Sequence, residues 1–175
     1  MTLPPYRNCS LCIAILTAAV LAASCGYRFS GQGEFPYGVK KIAVEVFKNR
    51  SAEVGLENTV ASSLIYELTR SGQVTVTEVE KADAVIRGTI QQVADRSVSR
   101  SELLIAEERR VFLRVDLQLS RIGGKTLWSA EGLQEDEAFT VSEDRAVTEA
   151  NRRKALDQLT RRLAEKIYQR ITTNF

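Results

Sequence analysis

One cysteine has the most distinctive chemistry in this sequence. The 175-residue chain contains three cysteines, of which Cys9 and Cys12 lie within the first 24 residues and Cys25 follows an apolar stretch. If that stretch is an export signal, Cys25 is the one cysteine left after cleavage. A single cysteine in an exported protein pairs between chains, stays a reactive thiol or is covalently modified. The place of Cys25 directly after the apolar stretch favours modification.

Residues 1–24 have the three-part composition of a secretory signal peptide. Arg7 lies in a short polar start, an apolar run extends from Leu11 to Ala23, and small residues precede Cys25. The run has about a dozen residues, whereas a helix that spans the hydrocarbon of a bilayer needs about 20. A permanent transmembrane anchor is therefore the less favoured alternative, and we predict that residues 1–24 are cleaved.

Residues 21–25, LAASC, resemble the lipobox of bacterial lipoproteins. In that motif the cysteine receives a diacylglyceryl group on its sulfur and becomes the N-terminus. The sequence departs from the motif at Ala22, where leucine is usual. The resemblance implies that Cys25 carries lipid, and several acyl chains on one residue anchor a protein stably to a membrane. Gly26 stands where an aspartate would retain the protein in the inner membrane, which implies the outer membrane.

The composition excludes most enzyme chemistry. The chain has no histidine, and its mature form would have no free thiol. Ser-His-Asp and Cys-His nucleophiles and the usual zinc sites therefore lack their residues, and no glycine-rich loop has the pattern of a phosphate-binding motif. The formal net charge of +2 gives no basic excess for nucleic acid. We predict a protein that is not an enzyme, holds no metal or cofactor and does not bind nucleic acid.

Patterns of apolar residues predict the elements in the first half of the domain. Residues 41–47 alternate as in a half-buried strand, with Val46 on the apolar side and Phe47 on the opposite side. Residues 53–70 instead repeat apolar side chains every four residues, which predicts an amphipathic helix that ends at Gly72. Further strands are predicted at residues 74–77 and 84–98.

The second half is dominated by strands and a long helix. Residues 109–122 alternate strictly, with apolar side chains on one face and polar ones on the other. The glycine pair at residues 123–124 predicts a two-residue hairpin turn, and residues 125–132 form the returning strand. Residues 140–143 have capping-box spacing for a helix that reaches about residue 172. Arginines and lysines crowd the rest of this helix, and we interpret them as a solvated face rather than a ligand-binding one.

The order of elements, β-α-β-β-β-β-α, defines the fold class. Two amphipathic helices and a sheet with one apolar face bury each other's apolar surfaces as two layers. We therefore predict an α+β fold, a two-layer sandwich in which a mostly antiparallel sheet of about four to five strands packs against two helices. Residues 40–175 would form this single domain, and residues 25–39 would form its lipidated N-terminus and tether.

Three features make the chain similar to the LptE family of lipopolysaccharide-assembly lipoproteins. Residues 25–31, CGYRFSG, resemble the family's lipidated N-terminus, where an aromatic residue stands two places after the cysteine. Residues 41–49, KIAVEVFKN, and residues 82–90, ADAVIRGTI, resemble the sequences of two family strands. The third feature is the element order, with one helix between the first strands and another at the end.

The resemblance implies a non-catalytic partner of a large outer-membrane β-barrel of the LptD type. The lipid-anchored protein would plug the barrel lumen or face the periplasm, help the barrel assemble, and assist the insertion of lipopolysaccharide into the outer leaflet. The alternative is an accessory lipoprotein of a cell-wall synthase or transport complex. Residues 26–38 extend at most about 45 Å, which is short for crossing the cell-wall layer and favours the barrel partner.

Lipopolysaccharide carries phosphates, which arginine suits because its guanidinium group makes paired charge-assisted hydrogen bonds. The connection between the two long strands contains the apolar residues 103–106 and is flanked by Arg96, Arg100, Arg109 and Arg110. An apolar tip bordered by cations would match an amphiphile, so these four arginines are the predicted lipopolysaccharide-binding residues. They are assigned from their chemistry, because the family's contact residues do not carry over position by position. A tip folded back onto the domain, with ordinary surface arginines, is the alternative.

Overall fold

Two helices and six strands make up the regular structure in the described part of the chain. The computed structural model describes residues 34–97 and 108–173, which fall within one compact unit, Glu34–Phe175. The strands are β1 (Lys41–Val44), β2 (Lys48–Asn49), β3 (Thr75–Val76), β4 (Ala84–Ser97), β5 (Glu108–Arg121) and β6 (Thr126–Thr140). The helices are α1 (Leu56–Ser71) and α2 (Arg145–Thr173), and short 3₁₀ turns cover Pro36–Gly38 and Val79–Lys81.

The strands form one open, mixed sheet in the order β3-β1-β4-β5-β6, with β2 also paired to β4. The three long strands β4, β5 and β6 are antiparallel neighbours, whereas β1 lies parallel to both β3 and β4. The predicted α+β class, with a sheet packed against two helices, is therefore confirmed. The two-residue β2 is the strand that the predicted order lacks.

Both helices bury an apolar stripe against one face of the sheet. Leu64 and Leu68 of α1 and Leu159 and Ile167 of α2 are fully buried. They belong to one core cluster with the inward side chains of β4 and β5. The opposite face of the sheet carries polar and charged side chains, and we call it the outer face. The one-sided alternation of the long strands thus determines which face the helices cover.

The alternation predicted over residues 41–47 is wrong beyond Val44. β1 ends there, Val46 is 63% exposed and Phe47 is buried. Phe47 turns inward because Gly88 of β4 leaves room for its ring, since a Cβ at Gly88 would lie only 2.3 Å from Cε2 of Phe47. The predicted single strand is therefore interrupted, and pairing resumes in β2.

α1 begins at Leu56, later than predicted, because the chain before it forms a turn. The side chain of Asn49 donates from Nδ2 to the carbonyl of Glu53 at 2.7 Å. Gly55, directly before the helix, has a left-handed φ of 86°, which glycine adopts at little cost. The helix is followed by Gly72, as predicted, which has a φ of 66°.

The hairpin between β5 and β6 has the predicted glycines in a longer connection. Gly123 and Gly124 both have positive φ, 102° and 101°. The paired strands end at Arg121 and resume at Thr126, so residues 122–125 connect them rather than the predicted two.

β6 continues to Thr140, well beyond its predicted end. The extension carries acidic side chains where the alternation would need apolar ones, so the sequence pattern shows no strand there. Glu135 and Glu137 face α2 and form ion pairs with Lys166 and Arg162. These partners, which lie far away in the sequence, hold the extension in place.

The predicted capping box at residues 140–143 is wrong. α2 begins at Arg145, and the backbone N–H of Ala146 donates to Asp144 Oδ1 at 2.7 Å. Asp144 therefore caps the helix, because its side chain accepts from an N–H of the first turn. Thr140 is instead the last residue of β6.

Residues 34–39 pack on the domain. Phe35 and Val39 are each 2% exposed and belong to the core cluster. Arg121 Nη2 donates to the carbonyl of Tyr37 at 2.6 Å. This part of the predicted tether is thus built into the fold, and residues 25–33 lie outside the described residues.

Candidate functional site

The ends of β4 and β5 nearest their connection carry the predicted arginines. The strand register pairs Arg96 with Arg110, so both side chains lie on the outer face, with their backbones about 5 Å apart. Arg109 precedes Arg110 in the same strand and lies on the face that the helices cover. Arg100 and the apolar residues 103–106 lie outside the described residues. The structure thus brings together Arg96 and Arg110, which we call the arginine pair, and places Arg109 on the other face of the sheet.

The two members of the arginine pair have different partners. The guanidinium of Arg96 lies over the ring of Phe112, 4.6 Å from its centroid, in a cation–π contact. Arg110 Nη1 donates to Asp136 Oδ2 at 2.7 Å. Like charges directly opposite each other on adjacent strands repel. The ring and the carboxylate offset that repulsion and hold both cations on the outer face.

This arrangement suits a ligand with several anionic oxygens. Within residues 34–97 and 108–173, no hydrogen bond or ion pair engages the N–H groups of Arg96. The Arg110 side chain is 47% exposed and that of Asp136 34%, and such exposed ion pairs contribute only about 0–1 kcal/mol. A ligand can therefore displace the carboxylate at small cost. Two neighbouring guanidinium groups can then bind one phosphate through charge-assisted hydrogen bonds.

Arg152 of α2 fixes the strand end beside the arginine pair. Its Nε donates to Asp95 Oδ2 at 2.8 Å, and its Nη2 donates to Glu53 Oε2 at 2.9 Å. The side chain is only 17% exposed, and the hydrogen bond to Glu53, followed by the one to Asp95, raises the pKa of Arg152. This cation joins β4, next to Arg96, to the helix and to the segment before α1. The sequence pattern missed this role, because a basic helix face looks solvated when its distant partners are unknown.

Asp116 anchors the irregular positions of the outer face. Its Oδ1 accepts the backbone N–H of Gly132 at 2.7 Å, and its Oδ2 accepts from Gln91 Nε2 at 2.5 Å. The hydrogen bond from Gly132 is the main cause that lowers the pKa of Asp116. Gln91 and Gly132 lie where the registers of β4 with β5 and of β5 with β6 shift. Asp116 therefore stabilises the bulges that determine which side chains share a face.

The chain enters the domain at the end of the sheet opposite the arginine pair. Tyr37 contacts Arg121, the last residue of β5, whereas Arg110 lies near the start of that strand. β4 runs from Ala84 to Ser97. At about 3.3 Å per residue, Arg96 lies roughly 40 Å from the beginning of β4. The arginine pair is therefore far from the point where the N-terminal segment meets the sheet.

A groove of about 560 Å³ between the helices is lined by Ser62, Tyr66 and Arg161, among others. In the part of the chain that the structure describes, no group of three or more His, Cys, Asp or Glu could hold a metal ion. Among the same residues, no helix is both long enough and apolar enough to cross a bilayer.

The fold is shared with solved structures of bacterial lipoproteins. Lipoprotein B from Nitrosomonas europaea is 18% identical with a TM-score of 0.57, over 84% of this chain and 90% of that chain. A minor lipoprotein from Acinetobacter baumannii is 18% identical with a TM-score of 0.53, over 77% of this chain and 92% of that chain. Identities this low show a common α+β fold and nothing more.

The sequence itself identifies the family. Residues 39–171 match the LptE family, which is described as lipopolysaccharide-assembly, and the chain belongs to this family. A comparison with the curated proteins gives no match. The family description indicates that this chain is a lipoprotein with a role in lipopolysaccharide assembly. The resemblance noted in the sequence is therefore confirmed.

Proposed function

We propose that the protein is an outer-membrane lipoprotein that occupies the lumen of an LptD-type β-barrel. It would help that barrel assemble and assist the insertion of lipopolysaccharide into the outer leaflet. The family match over residues 39–171 carries this proposal. Cys25, which lies outside the described residues, would hold the lipid that anchors the chain. The protein would act by binding rather than by catalysis.

The outer face of the sheet supports a position inside a barrel. It carries the ion pair between Arg87 and Glu45, at 2.6 Å, and the ion pair between Arg110 and Asp136. The interior of an outer-membrane barrel is polar. A domain with a polar and charged sheet face can contact such a lumen through ion pairs and hydrogen bonds.

The length of the domain supports a path for lipopolysaccharide along it. The arginine pair lies roughly 40 Å from the end where the chain enters, whereas the apolar band of an outer-membrane barrel is about 25 Å tall. A lipid anchor on the periplasmic side would then place the arginine pair toward the outer leaflet. That is the leaflet to which lipopolysaccharide is delivered.

Within this proposal, the arginine pair would bind phosphate groups of lipopolysaccharide. Arg96 and Arg110 share a face and retain exposed donors, and Arg100, in the connection between the strands, would be a third contact. Arg109 was predicted together with them, but it lies on the opposite face. We therefore expect Arg109 to contribute least to ligand binding.

Purification of the full-length, affinity-tagged protein from membranes in mild detergent tests the proposal. We expect a large outer-membrane β-barrel to co-purify, identified by its mass. A Cys25→Ser variant, which cannot carry the lipid, should leave the membrane fraction and serves as the control for anchoring. Recovery of the lipidated protein as a single chain, or with a cell-wall synthase or transport complex instead of a barrel, would overturn the proposal.

A further inference from the structure

β6 leaves a long backbone edge at one side of the sheet. It has 15 residues, and within the described residues no strand pairs with it on the side away from β5. The unpaired N–H and C=O groups of such an edge are a template for a strand from another chain. The opposite edge of the sheet is β3, which has only two residues. β6 is therefore the edge through which two copies of this chain could pair.

Helix α2 covers carbonyl groups along the second half of this edge. Arg162 Nη2 donates to the carbonyl of Asp136 at 2.6 Å, and Lys166 Nζ donates to the carbonyl of Gln134 at 3.2 Å. Further along, Asn151 of α2 donates from Nδ2 to the last carbonyl of the strand at 2.9 Å. Side chains of one helix thus occupy positions that the N–H groups of an added strand would need.

The two cations are also held by carboxylates on the helix-facing side of β6. Arg162 forms an ion pair with Glu137, and Lys166 forms one with Glu135. Each cation therefore joins a carboxylate on one side of the strand to a carbonyl at its edge. Because both contacts use the same side chain, opening the edge means giving up the ion pair as well.

The first half of β6 is interrupted by a bulge. The register jumps from Ala130, opposite Leu117, to Leu133, opposite Val115, so that two residues of β6 face the one residue Asp116. One of these two residues is Gly132, which has a φ of 62°. A bulge bends an edge strand and ends regular pairing. A second register shift, between Thr126 and Trp128, also interrupts residues 126–130, so little of the uncovered edge is regular.

We propose that Arg162 and Lys166 form a clip that closes the β6 edge against strand addition by a second copy of this chain. A strand that paired with residues 134–140 would displace both side chains and leave two carboxylates without their cations. The clip keeps the domain from pairing with a second copy, whereas a long uncovered edge would allow that pairing. This inference concerns self-association and does not depend on which outer-membrane partner the protein has.

Sedimentation velocity of the full-length protein, produced without a partner barrel and purified in mild detergent, tests the clip. The clip variant is Arg162→Met with Lys166→Met, which retains long side chains but removes every donor. The control is Arg161→Met with Arg170→Met, which removes the same charge from the same helix at exposed positions. We expect the wild type and the control to sediment as one copy. The clip variant should shift to dimers or larger assemblies as its concentration rises.

Hydrogen exchange shows whether the new contact uses β6. The N–H groups of Gln134 and Asp136 lie on the same side of the strand as their carbonyls, so they should exchange more slowly in the self-associated clip variant than in the wild type. In the clip variant Glu135 and Glu137 lose their cations, which could destabilise the fold. Adding Glu135→Gln and Glu137→Gln removes these unpaired charges, so that self-association can be distinguished from a loss of folding. This fourfold variant should also self-associate. A fourfold variant that folds but stays a single copy, or association without slower exchange in β6, would overturn the proposal.

Discussion

Replacing the arginine pair should weaken lipopolysaccharide binding far more than replacing the neighbouring arginine on the other face. The change is Arg96→Gln together with Arg110→Gln, which keeps polar side chains and removes both charges. A charge-assisted hydrogen bond contributes about 1.5–3 kcal/mol, and releasing Arg110 from its exposed pair with Asp136 costs about 0–1 kcal/mol. The net contribution is therefore about 0.5–3 kcal/mol for Arg110 and about 1.5–3 kcal/mol for Arg96, which has no ion pair to release among the described residues. We expect affinity to fall roughly tenfold for each replacement and roughly 100-fold for both.

The assay is a calorimetric titration of purified lipopolysaccharide into the full-length protein in mild detergent, carried out at low and at high salt. Salt screens attraction between exposed charges, so wild-type affinity should fall as salt rises, and the affinity of the double variant should fall less. The matched control is Arg109→Gln, which removes the same guanidinium group from the residue directly before Arg110. Because Arg109 lies on the face that the helices cover, its replacement should change affinity little.

Two results would refute this reasoning. Binding that is unchanged in the double variant would show that the arginine pair does not contact the ligand. A loss for Arg109→Gln as large as that for either member of the pair would show that the face on which an arginine lies does not matter. Thermal unfolding of each variant separates these results from a loss of folding.

The remaining predictions concern stability. Arg152→Met leaves two carboxylates without their shared cation and should lower the free energy of unfolding by about 1–3 kcal/mol in a urea titration; a loss below about 0.5 kcal/mol would argue against a bridging role. Gly88→Ala forces a methyl group into the ring of Phe47 and should lower the melting temperature through a cost of about 1–3 kcal/mol, whereas an unchanged melting temperature would contradict this close contact. The lowered pKa of Asp116 means that its stabilising effect is complete above its unfolded pKa and is lost as the pH falls through its folded pKa. The stability advantage of the wild type over Asp116→Asn should therefore be constant above about pH 5 and shrink as the pH falls below about 4, the ordinary range of an Asp, and an advantage that stays constant with pH would be inconsistent with that shift.

Local sequence patterns were sufficient to predict much of the fold. Residues that repeat every four positions in α1 or every second position in β5 are buried as their periodicity predicts, because each element has one face against the core. Gly72 follows α1 at the predicted place, since a left-handed residue ends a helix without strain when it is glycine. Such signals lie within a few residues of one another, so a sequence displays them directly.

Other elements depend on partners far away in the chain. The second half of β6 carries Glu135 and Glu137 toward α2, and only the cations of that helix make a strand favourable there. Phe47 is buried although the alternation places it outside, because Gly88 leaves room for its ring. Neither fact can be read from the residues that surround the position.

In the candidate site, too, some features follow from the local sequence and others depend on tertiary structure. The sequence by itself determined that arginines border the connection between β4 and β5, and it determined the family through residues 39–171. It did not determine which arginines meet. The register of β4 against β5 shifts by one residue at Gln91, and beyond that bulge Arg96 lies opposite Arg110. Without the extra residue Arg96 would lie opposite Arg109, on the face that the helices cover, because a shift of one position moves every following side chain to the other face of a sheet.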